Sequence, residues 1–355
     1  MPKKLSQSAR GVTAFCVAAL VSGGAMAEST SATLDALVDS QEIPVTVDNF
    51  TRAATDAELD KYVSLAGGVN KFFHFRTPTP VENQPTIRMN RDTLYSTAVV
   101  DISKGATLTL PEVGERYMTA MIVNQDHYIN EVIFGGGTYT LDTKTFDTPY
   151  VIVFMRILVD ASDPDDVAAV NAIQDAMSIE AASSNPFIAP DYNERDLEDL
   201  ISETLRLGRF APDATRAFGA KSAVDPVRHF IGTAAGWGGL PETEAFYVSV
   251  EPNLPVGSFK IDVPADVPVG AFWSVSLYNA AGFFEENASD AYSVNSITGT
   301  PNDDGSMTVH LGGCDTGAVN CLPIMDGWNY TVRLYRPGPE VLDGSWTFPA
   351  AQQVN

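Results

Sequence analysis

FWSVSLYN (Phe272–Asn279), DDGSMTVHL (Asp303–Leu311) and NYTVRLYRP (Asn329–Pro337) decide the fold class of this chain. Each alternates apolar and polar residues, the pattern of a strand with one buried face. Trp273, Val275 and Leu277 point one way, and Ser274, Ser276 and Tyr278 the other. Val309 and Leu311 oppose Thr308 and His310, while Val332 and Leu334 oppose Thr331, Arg333 and Tyr335. Asp304-Gly305 and Asp343-Gly344 mark turns, and Pro337 and Pro339 stop the last long strand. The stretch Phe272–Pro349 reads as the wall of an antiparallel sandwich.

Working outward, the upstream chain mixes helices with strands. Thr55 and Glu58 have the spacing of a capping box before a stripe of Leu59, Tyr62, Val63 and Ala66 that Gly67-Gly68 ends. A proline-punctuated loop, Pro78–Pro85, precedes a strand led in by Asn90-Arg91-Asp92-Thr93. Further strands run over Tyr117–Val123 and Val151–Val159, the last a nearly continuous apolar run that fits a strand covered on both faces. Gly135-Gly136-Gly137 reads as a hairpin turn. Asp163-Pro164 starts a helix with Val167, Val170, Ile173 and Met177 inside. Asn193 caps another with Leu197, Leu200, Ile201 and Leu205 inside. The expected class is α+β and mostly β. Residues 48–220 make a β-rich N-terminal domain with added helices, 221–244 a Gly-rich bridge, and 245–355 an antiparallel β-sandwich.

The first 27 residues have the form of a secretory signal, and 28–47 that of a tether. Lys3, Lys4 and Arg10 precede the short apolar core Val12–Val21, and Ala25-Met26-Ala27 offers a cleavage site before Glu28. The apolar core is too short to span a bilayer, and no later stretch is long enough. A periplasmic or secreted protein is expected. The 22 basic and 45 acidic residues become 19 and 45 after cleavage, a formal charge of 19 − 45 = −26. So acidic a surface repels nucleic acid and anionic lipid. Cys16 lies in the signal, leaving Cys314 and Cys321 in GGCDTGAVNCLP; no C-x-x-C or paired His accompanies them, so a structural disulfide is preferred to zinc.

Familiar catalytic patterns are missing: there is no G-x-S-x-G, H-E-x-x-H or P-loop, and nothing names a cofactor or a metal. His127, between Asp126 and Glu131, is the candidate general base; its plainer role is a hydrogen-bonded histidine at a strand end. Asn90, Arg91, Asp92 and Tyr95 form a polar cluster suited to orienting a ligand, or to locking a strand start. Trp237, among glycines, is placed to line a cleft between the two domains or to plug it. Tyr278, His310, Arg333 and Tyr335 are candidates for a shared polar wall, for which a solvated outer face is the simpler account. Arg156 interrupts an apolar strand, and an internal ion pair is expected of it rather than a ligand contact.

DNFTRAATDAELDKYV (Asp48–Val63), NRDTLYSTAVVDI (Asn90–Ile102), FWSVSLYN, NCLPIMDGWNYTVRLYRP (Asn320–Pro337) and LDGSWTFP (Leu342–Pro349) carry a resemblance. The chain resembles a bacterial family that pairs two domains of unknown function, numbered 1254 (N-terminal) and 1214 (C-terminal). The resemblance implies a mostly β architecture with a jelly-roll-like C-terminal sandwich and brings no activity with it. Cys321 stands where the pattern has a tryptophan, which pairing with Cys314 would explain. The leading expectation is a binding protein for a small organic molecule or glycan, held in a cleft between the domains. A hydrolase or lyase using His127 with Arg91 against a developing anion, and an envelope assembly protein, are the alternatives.

Overall fold

A computed structural model describes residues 42–84, 87–211 and 213–354. The expected signal and residues 28–41 of the expected tether lie outside the described residues. The first element is helix α1 (Phe50–Ala66). It begins five residues before the expected capping box, and Thr55 is an interior, fully buried helix residue. Its hydroxyl donates to the Thr51 carbonyl, so Thr55-Glu58 does not cap. Gly67, at φ 69°, ends the helix as the sequence indicates.

Strands β1 (Phe73–His74), β2 (Thr93–Asp101), β4 (Met118–Asn124), β5 (Ile129–Phe134) and β7 (Tyr150–Leu158) form an antiparallel sheet in the order β1-β2-β7-β4-β5. The apolar run of β7 lies at the centre of the sheet, where both faces are covered, as they are for its neighbours β2 and β4. One face, with Leu94, Ala98, Ala120, Val153 and Met155, packs on a second sheet. That sheet is built from β3 (Ala106–Leu110), β6 (Gly137–Leu141) and β8 (Ser178–Ala181), in the order β6-β3-β8. Because β5 and β6 belong to different sheets, Gly135–Gly137 is a corner between layers and not a hairpin turn. Gly136 lies so close to the chain there that a Cβ would stand 2.6 Å from the Pro111 carbonyl oxygen.

Short helix α2 (Thr143–Phe146) precedes β7, and α3 (Pro164–Asp175) turns Val167, Val170 and Ile173 into the first core. Helix α4 (Glu194–Gly208) packs Leu197, Leu200 and Ile201 against Phe50 and Ala53, whereas Leu205 faces solvent, 45 % exposed, against expectation. The Gly-rich bridge contains a helix that its glycines conceal, α5 (Pro226–Gly236), capped by Asp225.

The remaining strands are β9 (Ala245–Val250), β10 (Phe259–Val263), β11 (Trp273–Tyr278), β12 (Ser293–Asn295), β13 (Met307–Leu311), β14 (Cys321–Leu322), β15 (Asn329–Tyr335) and β16 (Gln352–Gln353). They form two four-stranded sheets, β12-β11-β15-β9 and β14-β13-β10-β16. Trp273, Val275, Leu277, Val332 and Leu334 meet Phe259, Ile261, Val309 and Leu311 in the sandwich core. A four-residue helix, α6 (Pro339–Leu342), follows β15.

Strands β13 and β14 are parallel although few residues separate them. Glycines make the tight return: Gly312 (φ 76°) passes so close to Gly257 that a Cβ would lie 2.1 Å from its carbonyl oxygen. The Cys314–Cys321 disulfide closes this loop. Replacing both cysteines by serine is expected to lower the unfolding free energy by about 2–3 kcal/mol in the chain-entropy account. Urea denaturation would measure it, and an unchanged midpoint would mean that strand pairing alone holds the loop.

Candidate functional site

The second face of the five-stranded sheet carries a row of three unlike side chains. Register places Tyr95 of β2 and Thr119 of β4 on either side of Arg156 of β7. Arg156 is only 7 % exposed. One amino group, Nη2, donates to the Gly238 carbonyl at 2.9 Å. The other, Nη1, is fully enclosed and has no hydrogen-bond partner. Among the described residues no carboxylate lies within ion-pair distance of it, which overturns the expected internal ion pair.

Aromatic rings take the carboxylate's place. The guanidinium carbon lies 5.0 Å from the centre of the Phe154 ring and 5.7 Å from that of Tyr95. Burial opposes the charge, but the phenol oxygens of Tyr95, Tyr247, Tyr117 and Tyr335 outweigh it and hold the arginine pKa above its ordinary value. Two cation–π contacts return about 2 kcal/mol or more each when desolvated. Removing a guanidinium from water costs several kcal/mol. What the site lacks is a hydrogen-bond acceptor for Nη1.

Arg333 serves as an internal control. It is 4 % exposed and sits in the same polar layer, but its donors are used. Nη1 reaches Ser276 Oγ at 2.7 Å, and Nη2 reaches the Tyr278 hydroxyl at 2.8 Å and the Arg88 carbonyl at 2.9 Å. Burial works against its charge, and Tyr278, Tyr335 and Asp92 raise its pKa. The two arginines therefore differ in satisfaction, not in depth.

The polar side of the β12-β11-β15-β9 sheet is not a solvated outer face. Tyr278, Arg333 and Tyr335 are 0 %, 4 % and 1 % exposed and look toward the N-terminal half. His310 does not join them, because β13 belongs to the other sheet. Tyr117 packs on Phe272 and Tyr335, with ring centres 5.2 and 5.3 Å apart, and its hydroxyl lacks a partner in hydrogen-bonding geometry. Tyr247, opposite Arg333 on edge strand β9, shares the inward side yet is 38 % exposed. Its hydroxyl is nonetheless enclosed enough that burial raises its pKa, with Arg156 and Arg333 pulling the other way.

The Asn90–Asp92 cluster joins the halves. Asn90 Nδ2 donates to the Tyr335 hydroxyl at 2.9 Å, and its Oδ1 accepts from the Asp92 N–H at 2.9 Å. Asp92 accepts from Ser293 Oγ at 3.0 Å. Arg91 turns elsewhere, donating to the Thr79 carbonyl and lying 4.7 Å over the Tyr292 ring. Of the four, Tyr95 alone stands beside Arg156.

His127 is fully buried with both nitrogens engaged. Nε2 accepts from the Gly238 N–H at 3.0 Å, so the proton lies on Nδ1, which donates to Thr233 Oγ at 3.0 Å. Trp237 stacks on the ring at 5.3 Å and donates to Thr55 Oγ at 3.1 Å. His127 thus fixes residue 238, whose carbonyl braces Arg156. The sequence offered Arg156 as an interruption, but no local pattern reveals Gly238 or the phenols around it.

Burial, with a contribution from His229, lowers the His127 pKa to about 3. The folded chain keeps the ring neutral where the unfolded chain takes up a proton. Its contribution, complete above about pH 6.5, is lost as pH falls toward 3 and amounts to at most about 5 kcal/mol. Thermal melts from pH 7 to 4 are expected to fall less steeply in His127→Gln than in the native chain. Parallel slopes would show that this ring does not drive acid sensitivity.

Comparison with known proteins adds a family context. Residues 69–138 match the family described as Protein of unknown function (DUF1254), and residues 254–339 the one described as Protein of unknown function (DUF1214). The chain carries them in the order N-terminal then C-terminal. Tyr95, Tyr117 and His127 fall in the first match and Arg333 and Tyr335 in the second, while Arg156 lies between them. A crystal structure of a Vibrio parahaemolyticus protein is similar at TM-score 0.65 and 16 % identity, covering 87 % of this chain and 100 % of that one. That of a putative uncharacterized protein from Burkholderia cenocepacia is similar at TM-score 0.50 and 15 % identity, covering 87 % of each chain. These likenesses are of fold alone. No curated protein matches.

Proposed function

We propose that this is an exported binding protein for a small organic anion, held on Arg156 where two domains, residues 48–220 and 245–355, face each other. The observation that carries the reading is the enclosed, unpartnered Nη1 of a permanently charged side chain. An enclosed donor left without an acceptor costs about 1–3 kcal/mol, and an incoming anion supplies the missing acceptor. Nη1 and the Tyr117 hydroxyl offer hydrogens, and a carboxylate accepts several at once. A neutral sugar would leave the charge uncompensated. The Phe154 and Tyr95 rings beside the guanidinium suit an apolar or aromatic body.

Export rests on the form of residues 1–27 and fits the disulfide, which persists in oxidising compartments. Among the described residues no helix is long and apolar enough to cross a membrane, and no cluster of three His, Cys, Asp or Glu is placed to hold a metal.

The test compares the native chain with Arg156→Gln and Arg333→Gln in thermal melts with benzoate, phenylacetate and hexanoate, each against its amide. A carboxylate at a hundred times its dissociation constant is expected to add about 2.7 kcal/mol to the native chain and nothing to Arg156→Gln. Without ligand, Arg156→Gln is expected to be as stable as the native chain or more so. Arg333→Gln is expected to lose about 3 kcal/mol or more, because it strands satisfied partners. If Arg156→Gln is as damaging as Arg333→Gln and no carboxylate has an effect, Arg156 is a structural residue and the reading fails.

A further inference from the structure

A recess of about 330 Å³ opens where α1, the start of β7 and the loop before α4 meet. Tyr150, Phe187 and Tyr192 line it together with three prolines. Ile188, 79 % exposed, stands at its mouth. Asp56 and Gln125 line it too, although they are only 2 % and 7 % exposed. Asp56 Oδ1 accepts from Gln125 Nε2 at 3.0 Å, and Oδ2 accepts from the Tyr192 hydroxyl at 3.3 Å. The first bond fixes the amide, since its NH2 must face the carboxylate. Gln125 Oε1 is thereby turned away and left enclosed with no partner.

The recess is the electrostatic converse of the arginine site. It offers a carboxylate and a spare amide oxygen, both acceptors, within aromatic walls. The cation at its rim, Arg52, is engaged by Asp126 at 2.5 Å. Burial raises the Asp56 pKa, opposed by Gln125, Arg52 and Tyr192, as for a carboxylate short of compensating charge. We infer that this recess binds an organic ammonium group, a primary amine on an apolar or aromatic body. Its N–H bonds go to Gln125 Oε1 and Asp56, and the rings of Tyr150, Phe187 and Tyr192 supply apolar and cation–π faces. The inference does not rest on the anion reading, because the two sites ask for opposite charges.

Isothermal titration of the full chain with benzylamine, benzyl alcohol and benzoate tests it. Benzylamine is expected to bind about tenfold or more tightly than benzyl alcohol, a difference of about 1.4 kcal/mol. Asp56→Asn, which keeps an acceptor for Gln125 and removes a buried charge, is expected to melt no lower than the native chain and to abolish that preference. Arg156→Gln is expected to leave it intact. Three results overturn the inference: no benzylamine binding at millimolar concentration, equal affinity for amine and alcohol, or a preference unchanged in Asp56→Asn. Loss of the preference in Arg156→Gln would also overturn it by moving the amine to the other site. A benzoate response without a benzylamine response would leave the anion reading standing alone.

Discussion

Two guanidinium groups are kept from water between the five-stranded sheet and the sandwich, and much of the architecture answers to that constraint. A charge in such a place is tolerated only when it is surrounded by oriented acceptors. Arg333 has them, drawn from its own sheet and from the Arg88–Met89 segment of the other half, so its satisfaction and the docking of the halves are one fact. The Asn90 bond to Tyr335 and the Ser293 bond to Asp92 extend the same seam. An apolar cluster that includes Val99, Tyr117, Met121, Phe272 and Tyr335 crosses the same boundary, between the core of the N-terminal sheets and that of the sandwich.

Arg156 sits at the place in that seam where the polar contacts are incomplete. Its one protein acceptor comes from residue 238, held in turn by a histidine that cannot leave its neutral form without breaking a bond. The geometry is that of a preorganised donor: the cost of orienting the group is met during folding, so a partner arriving later need not meet it. The recess beside Asp56 is built on the same plan with the sign reversed. A fixed amide presents its oxygen because its nitrogen is already committed to Asp56.

The sequence made the strands and their apolar faces readable, because alternation in Trp273–Leu277 and Val332–Leu334 is a local property. It could not show what covers the polar face. Ser274, Ser276 and Tyr278 alternate as they would beside water, yet all are buried, because the covering residues come from more than a hundred positions upstream. The same limit applies to Arg156. Its interruption of β7 is visible, whereas its neighbours Tyr95 and Thr119 depend on register across three strands. Helix α5 was hidden by glycines that lower helix propensity, among them Gly232, where a Cβ would stand only 3.0 Å from that of Ala217. Thr55-Glu58 matched a capping pattern by composition, but the hydroxyl is spent on Thr51 and Trp237.

Strand β10 is covered on one side by β13, but its other edge meets only the two-residue β16, at Phe259 and Lys260. Beyond those two pairs the remaining backbone groups of β10 would offer a template for a strand from another molecule. Lys260 and Asp262 project from the same side of β10 and are bonded to each other at 2.7 Å. An approaching strand would have to strip water from that charged pair before gaining any backbone bond. A two-residue cap and one surface ion pair thus discourage edge-to-edge growth along an otherwise regular sandwich.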